Sequence, residues 1–141
     1  MKIANFPEYL CAQPQHTSEQ REKIKLVLGF YKYVVVGLDF SDTEKYVREP
    51  YVQHNPMVGD GMENLRAFAT HVAGVTPEGS VTMHRAFVDG DYVITHSEVT
   101  FAPGDTKAVF DLFKVIDGRI VEHWDAIQDV PTIAMCGRSM F

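Results

Sequence analysis

Hydrophobic positions change their spacing once along the chain, near residue 75. Ahead of that point they recur every three to four residues. Ile24, Val27, Leu28, Tyr31, Val34 and Val35 share one helical stripe, and Met62, Leu65, Phe68 and Ala69 share another. Beyond it the apolar runs are short, rich in β-branched and aromatic residues, and broken by Asp89-Gly90, Pro103-Gly104 and Asp117-Gly118. The first pattern predicts helices; the second predicts an antiparallel meander over residues 81–88, 92–101, 107–115 and 120–127. Helices followed by sheet define the α+β class, with the helices on one face of a curved sheet.

Local signals place the helix ends. Thr17 with Gln20 forms a capping-box pair that opens the long first helix, and Gly37 stands where a left-handed cap would close it. Ser41 with Glu44 predicts a short second helix through Tyr46 and Val47, stopped by Pro50. A third follows the Asn55-Pro56-Met57-Val58-Gly59-Asp60-Gly61 loop, runs to about Val72 and closes at Gly74. Residues 1–16, with Pro7 and Pro14, read as an arm that packs late or on a neighbour, ahead of a single domain at 17–141.

The final hairpin carries ionisable groups inside apolar strands. A bare charge in an apolar setting costs several kcal/mol, so Asp111, His123 and Asp125 each need a partner, water or a neutral form. Which of them meet depends on the turn, because successive strand side chains alternate between faces. A two-residue turn at Asp117-Gly118 sets Asp111 opposite Trp124 and sends His123 and Asp125 to the reverse side. A three-residue loop with Gly118 in a G1 bulge pairs Val115 with Arg119 and Asp111 with His123, which gathers all three groups on one face. Asp-Gly is compatible with either turn.

Composition narrows the possibilities. A chain of 141 residues with 45% hydrophobic content suits one core, with about two-thirds of the unfolded surface buried and no need for a metal or disulfide staple. The net charge of −6, with no Lys/Arg cluster, argues against nucleic-acid binding. No window approaches a membrane span and no signal-type apolar core is present, which reads as a soluble cytoplasmic protein without a membrane partner. Cys11 and Cys136 read as reduced thiols.

Further candidates surround the hairpin. Pro56 forces Asn55 out of the helical region and so fixes the projection of His54, a substrate-binding candidate whose competing role is bonding loop backbone. His84 and His96 fall on neighbouring strands, either extending a pocket or pairing across the sheet. Imidazole and carboxylate suit zinc or iron, but only His123-x-Asp125 offers a two-ligand spacing, and the reading is no metal. Gly59-Asp60-Gly61 is too short for a phosphate loop, so no nucleotide cofactor is expected.

Tyr51-Val52-Gln53-His54-Asn55-Pro56, Gly90-Asp91-Tyr92-Val93 with His96, Asp111-Leu112-Phe113-Lys114-Val115, Gly118 through Asp125 with Gln128, and Met140-Phe141 together resemble the SnoaL-like polyketide cyclases. These belong to the nuclear transport factor 2-like superfamily, alongside the ketosteroid isomerases. The resemblance implies a cone of three helices on a strongly bent antiparallel sheet enclosing one pocket, and a homodimer through the outer sheet face. Asp125 is similar to the acid/base aspartate of the cyclases. Asp111 resembles the strand position that holds a protonated oxyanion-hole aspartate in ketosteroid isomerases and a histidine in the cyclases, so here the chain departs from the cyclase pattern. Both positions face the pocket in the cyclases, which favours the bulged register. The resemblance also implies a cofactor-independent enzyme that abstracts a proton next to the carbonyl of a small or medium apolar compound. Asp125 would be the base, Asp111 the donor and His123 an orienting or relay group. The alternative is a non-catalytic module that holds a hydrophobic ligand or mediates assembly.

Overall fold

The computed structural model describes residues 1–141. In chain order the elements are β1 (Lys2–Asn5), α1 (Ser18–Gly29), β2 (Val47–Gln53), α2 (Gly61–Val75), β3 (Ser80–Asp89), β4 (Tyr92–Ala102), β5 (Asp105–Ile116) and β6 (Arg119–Asp129). They form an α+β fold in which one curled, unclosed six-stranded sheet, ordered β1-β3-β4-β5-β6-β2, wraps around two long helices. β3 to β6 are antiparallel, as the turn signals predict, while β1 and β2 join the two edges in parallel.

Thr17 and Gln20 make both bonds of the capping box, at 3.2 and 2.8 Å. α1 then continues as a π-helical stretch over Phe30–Val36, so the first predicted helix is present with its last turns widened. Gly37 ends it, but not as a left-handed cap. Its φ is −75°, Leu38 takes the positive φ of 56°, and a Cβ on Gly37 would lie 2.7 Å from the Tyr33 carbonyl oxygen. The glycine is there for close approach. Ile24, Val27, Phe30 and Val34 bury their side chains, and Phe30 and Tyr31 meet Phe113 of β5 edge-on at 6.2 and 5.7 Å.

The second predicted helix is absent. Only Thr43–Lys45 makes a 3-10 turn, and the residues expected to follow in the helix form β2. Ser41 does not cap, because its amide and hydroxyl both bond Asp39 Oδ1. The open edge of β6 pairs the segment instead, through Val47–Ile120, Val52–Glu122 and Gln53–His123. That ladder slips between Val47 and Val52, where Pro50, lacking an N–H, is tolerated on an edge strand. The Glu49 carboxylate accepts the Met62 amide at 2.7 Å and so satisfies the first turn of α2, while Asp60 Oδ1 accepts the Gln53 amide at 2.8 Å. These bonds tie the end of β2 to the start of α2. Residues 1–16 run along the other edge: β1 pairs with β3, Leu10 is buried, and Gln13 Nε2 donates to the Ala86 carbonyl at 2.9 Å.

The β5–β6 hairpin follows neither predicted register. Its turn has two residues, Asp117 at φ 50° and Gly118 at φ 69°, with Ile116 opposite Arg119. The ladder then slips between Lys114 and Val115, which leaves Val121 as an extra residue and sets Asp111 opposite Asp125 and Phe113 opposite His123. The Val115 amide donates to the Asp91 carbonyl and the Ile120 amide to the Tyr46 carbonyl, so both are spent outside the β5–β6 pair at the point of insertion. The face is the one the G1-bulge register implies, reached by a bulge inside the strand.

Candidate active site

Strand alternation past the bulge points Asp111 and Phe113 of β5, His123 and Asp125 of β6 and Thr95 of β4 into the concave face. Asp111, His123 and Thr95 are all buried there. His123 Nε2 lies 3.0 Å from Asp111 Oδ1, and Thr95 Oγ1 donates to Asp111 Oδ2 at 3.3 Å. The Phe113 ring packs against the imidazole at 4.6 Å between centroids. On its far side, His123 Nδ1 meets Gln53 Oε1 at 2.8 Å. Asp125 Oδ2 accepts from Asn55 Nδ2 at 2.5 Å.

Backbone donors settle which way the side-chain amides face. Asn55 Oδ1 accepts the Met57 amide at 2.8 Å, so its nitrogen points at Asp125. Gln53 Oε1 accepts the Asn55 amide at 3.0 Å, so it can only accept from His123 as well. His123 therefore carries a proton on Nδ1. Its Nε2 and Asp111 Oδ1 then need one proton between them, because a bare nitrogen facing a carboxylate oxygen would set lone pair against lone pair. The Asp111–His123 pair is neutral as a unit, whichever atom holds that proton.

Asp125 is perturbed in a different way. Burial pushes its pKa up; the Asn55 hydrogen bond and His123 oppose the shift, and the Asp111 charge adds to it. The Tyr31 and Tyr51 hydroxyls are pushed up as well, first by burial and next by the Asp111 charge, and so remain neutral donors.

These groups line one end of a cavity of about 150 Å³. Its remaining walls are apolar and include Val58, Leu65, Phe68, Val99, Phe101 and Val109, and no lysine or arginine reaches it. One donor atom each from Asp111, His123 and Asp125 lies within 4.8 Å of the others, a set that could ligate a divalent ion. In this arrangement His123 Nε2 and Asp111 Oδ1 partner one another, and Asp125 Oδ2 accepts from Asn55.

A family model of the SnoaL-like domain matches residues 27–123. The chain belongs to the SnoaL-like family. Among solved structures, a SnoaL-like protein from Jannaschia sp. CCS1 described as a candidate polyketide cyclase is 16% identical, with TM-score 0.67 over 81% of this chain and 90% of that one. A candidate polyketide cyclase from Bacillus cereus ATCC 10987 is 21% identical, with TM-score 0.65 over 82% and 81% of the two chains. AclR from Streptomyces galilaeus, described as a candidate hydroxylase, is 17% identical, with TM-score 0.63 over 77% and 90%. At these identities the likeness establishes the fold. No curated protein sequence matches the chain.

In this SnoaL-like chain the other three predicted site histidines stand on the convex face, outside the cavity. His54 alternates with Gln53 and Asn55, so it turns outward, stacks on Trp124 at 4.6 Å and meets Glu122 Oε1 at 2.9 Å. His84 is the extra residue where the β3–β4 ladder slips, and it pairs with Glu98 at 3.0 Å. His96 alternates with the inward Thr95 and Ser97, stacks on Phe110 at 4.2 Å and meets Arg85 at 3.0 Å. None of the three lines the cavity: alternation turns His54 and His96 outward, and the slip in its ladder turns His84 outward. Asn55, Gln53, Thr95, Tyr31 and Tyr51 take the places beside the carboxylates. Tyr51, Gln53 and Asn55 lie in the motif that carries the family resemblance, and of these only Asn55 has a local conformational signal, the restraint imposed by Pro56.

Proposed function

We propose that this SnoaL-like protein is a cofactor-independent acid/base enzyme acting on a small, neutral, apolar carbonyl compound. The observation that carries the reading is a half-buried Asp125, held by Asn55, beside an Asp111–His123 pair that holds one proton, all lining an apolar cavity. Asp125 takes a proton from the carbon next to the carbonyl. The C–H bonding pair left behind becomes a C=C bond to the carbonyl carbon as the carbonyl π pair moves to oxygen, which accepts a hydrogen bond or the proton itself from the Asp111–His123 pair. Return of a proton to the same or another carbon gives isomerisation; attack of the enol carbon on a second carbonyl gives ring closure.

Two features restrict the substrate. Pockets that take drug-sized ligands start at about 300 Å³, so about 150 Å³ suits a single ring or a short chain. With no lysine or arginine in the lining, a carboxylate or phosphate would enter unpaired beside Asp125. No helix is long and apolar enough to cross a membrane, and we assign the protein to the cytoplasm. We also assign a homodimer through the convex face, where Phe87 and Phe110 are 42% and 50% exposed.

The test is loss of deuterium from ring-deuterated cyclohexanone or 2-cyclohexenone in water, followed by NMR. The protein should accelerate it, and Asp125→Asn should slow it by about 10²–10⁴-fold. Tight binding of these ketones with no acceleration, unaffected by Asp125→Asn, would instead establish a ligand-holding module.

A further inference from the structure

Gln53 is held at both its backbone and its side chain. Its amide donates to Asp60 Oδ1 at 2.8 Å. Its Oε1 accepts the Asn55 amide at 3.0 Å, takes a share of the His54 amide at 3.0 Å and meets His123 Nδ1 at 2.8 Å. The His54 amide also donates to the His123 carbonyl at 2.9 Å, so the same segment fixes the backbone of both residues. Turning the carboxamide over would aim its NH₂ at these N–H groups, so an oxygen faces His123 in this arrangement of the loop.

We propose that Gln53 is a positioning residue that sets how many protons the site holds. A neutral imidazole can place its single N–H on either nitrogen. With the hydrogen on Nε2 it would donate to an Asp111 carboxylate, and the pair would carry one negative charge. That charge would lie within 4.8 Å of the Asp125 carboxylate, in a cavity with no lysine or arginine to offset two anions. Gln53 removes this option by requiring the hydrogen on Nδ1. Nε2 can then face Asp111 only with a further proton between them, so the pair is neutral and the site carries one negative charge, on Asp125. The additional proton is the one that a carbonyl oxygen can receive. The proton count rests on hydrogen-bond geometry alone, and its effect on turnover rests on the proposed acid/base function.

The experiment is a long-range ¹H–¹⁵N correlation spectrum of the histidine rings in the full-length protein at neutral pH, with His123 assigned by its disappearance in His123→Gln. Wild-type His123 should show a protonated Nδ1. In Gln53→Leu the proton should move to Nε2, and Gln53→Glu, which keeps an acceptor oxygen, should restore it to Nδ1. In the ketone exchange assay, Gln53→Leu should lower kcat about tenfold, the size of one hydrogen bond, and leave KM within about twofold, with Gln53→Glu recovering the rate. A bare Nδ1 in the wild-type protein overturns the proposal, and so does an unchanged Nδ1–H in folded Gln53→Leu. If Gln53→Leu does not fold, the wild-type and Gln53→Glu spectra decide, and a bare Nδ1 in either overturns it. A protonated Nδ1 in a wild-type protein that exchanges no ketone supports the proton count and overturns the acid/base function.

Discussion

Asp111 with His123 on the concave face and Glu98 with His84 on the convex face are both carboxylate–imidazole pairs at 3.0 Å, yet they live under different rules. The inner side chains are 5% and 10% exposed, and their four polar atoms bond one another, Thr95 and Gln53; the outer ones are 36% and 27% exposed and open to solvent. Burial turns an ordinary ion pair into a fixed proton inventory, because a missing or surplus charge inside has nothing to screen it. Outside, the same two residue types make a contact that solvent can replace.

Removing one partner from each pair should break that comparison most visibly. Asp111→Ala strands His123 Nε2 in the core and should cost about 3 kcal/mol in urea unfolding, whereas Glu98→Ala should cost under about 1 kcal/mol. Equal losses would mean that the inner pair is no more committed than the outer one.

The pH dependence of stability should sharpen the contrast. Burial raises the Asp125 pKa above its ordinary 3.8, so the folded chain binds that proton more tightly than the unfolded chain does. Its contribution to stability is therefore whole below pH 3.8 and is lost as pH rises through the raised value. The Tm advantage of Asp125→Asn over wild type should accordingly grow from pH 4 to pH 7. A constant difference would contradict the burial assigned to Asp125.

His96 should give the smallest effect, with the opposite sign. Burial lowers its pKa from the ordinary 6.5, helped by the Arg85 and His84 charges, so the folded chain binds this proton more weakly than the unfolded one. Stability should be complete above pH 6.5 and decline as pH falls below it. His96→Phe keeps the stack on Phe110 and should flatten Tm between pH 7 and 5.5; an unchanged slope would assign that decline to other groups.

The parts of this fold that are local in sequence were legible. Thr17 and Gln20 mark a helix start because both partners lie within one turn, and the Gly-containing turns mark the meander because each hairpin closes on itself. β2 was not legible, since it becomes a strand only by pairing with β6, far away along the chain. The shared face of Asp111, His123 and Asp125 was legible once a bulge was assumed, but its position was not, because an inserted residue such as Val121 has no composition of its own. The same blind spot misplaced His84, itself the extra residue of a slipped ladder. The Pro56 restraint fixes how His54 projects but not toward which side, and alternation gives the cavity to Gln53 and Asn55.

The Val121 bulge has a consequence for how this chain tolerates changes in length. Lys114 already faces Glu122 and Val115 already faces Ile120, so a chain lacking Val121 could keep both pairings in an unbroken ladder, with His123 and Asp125 still indoors. Loss of one residue after His123 has no such slack to draw on: it would turn Asp125 toward solvent and bring its neighbour in. One strand thus contains a stretch that forgives a missing codon beside a stretch that cannot, and the boundary between them falls just before the chemistry begins.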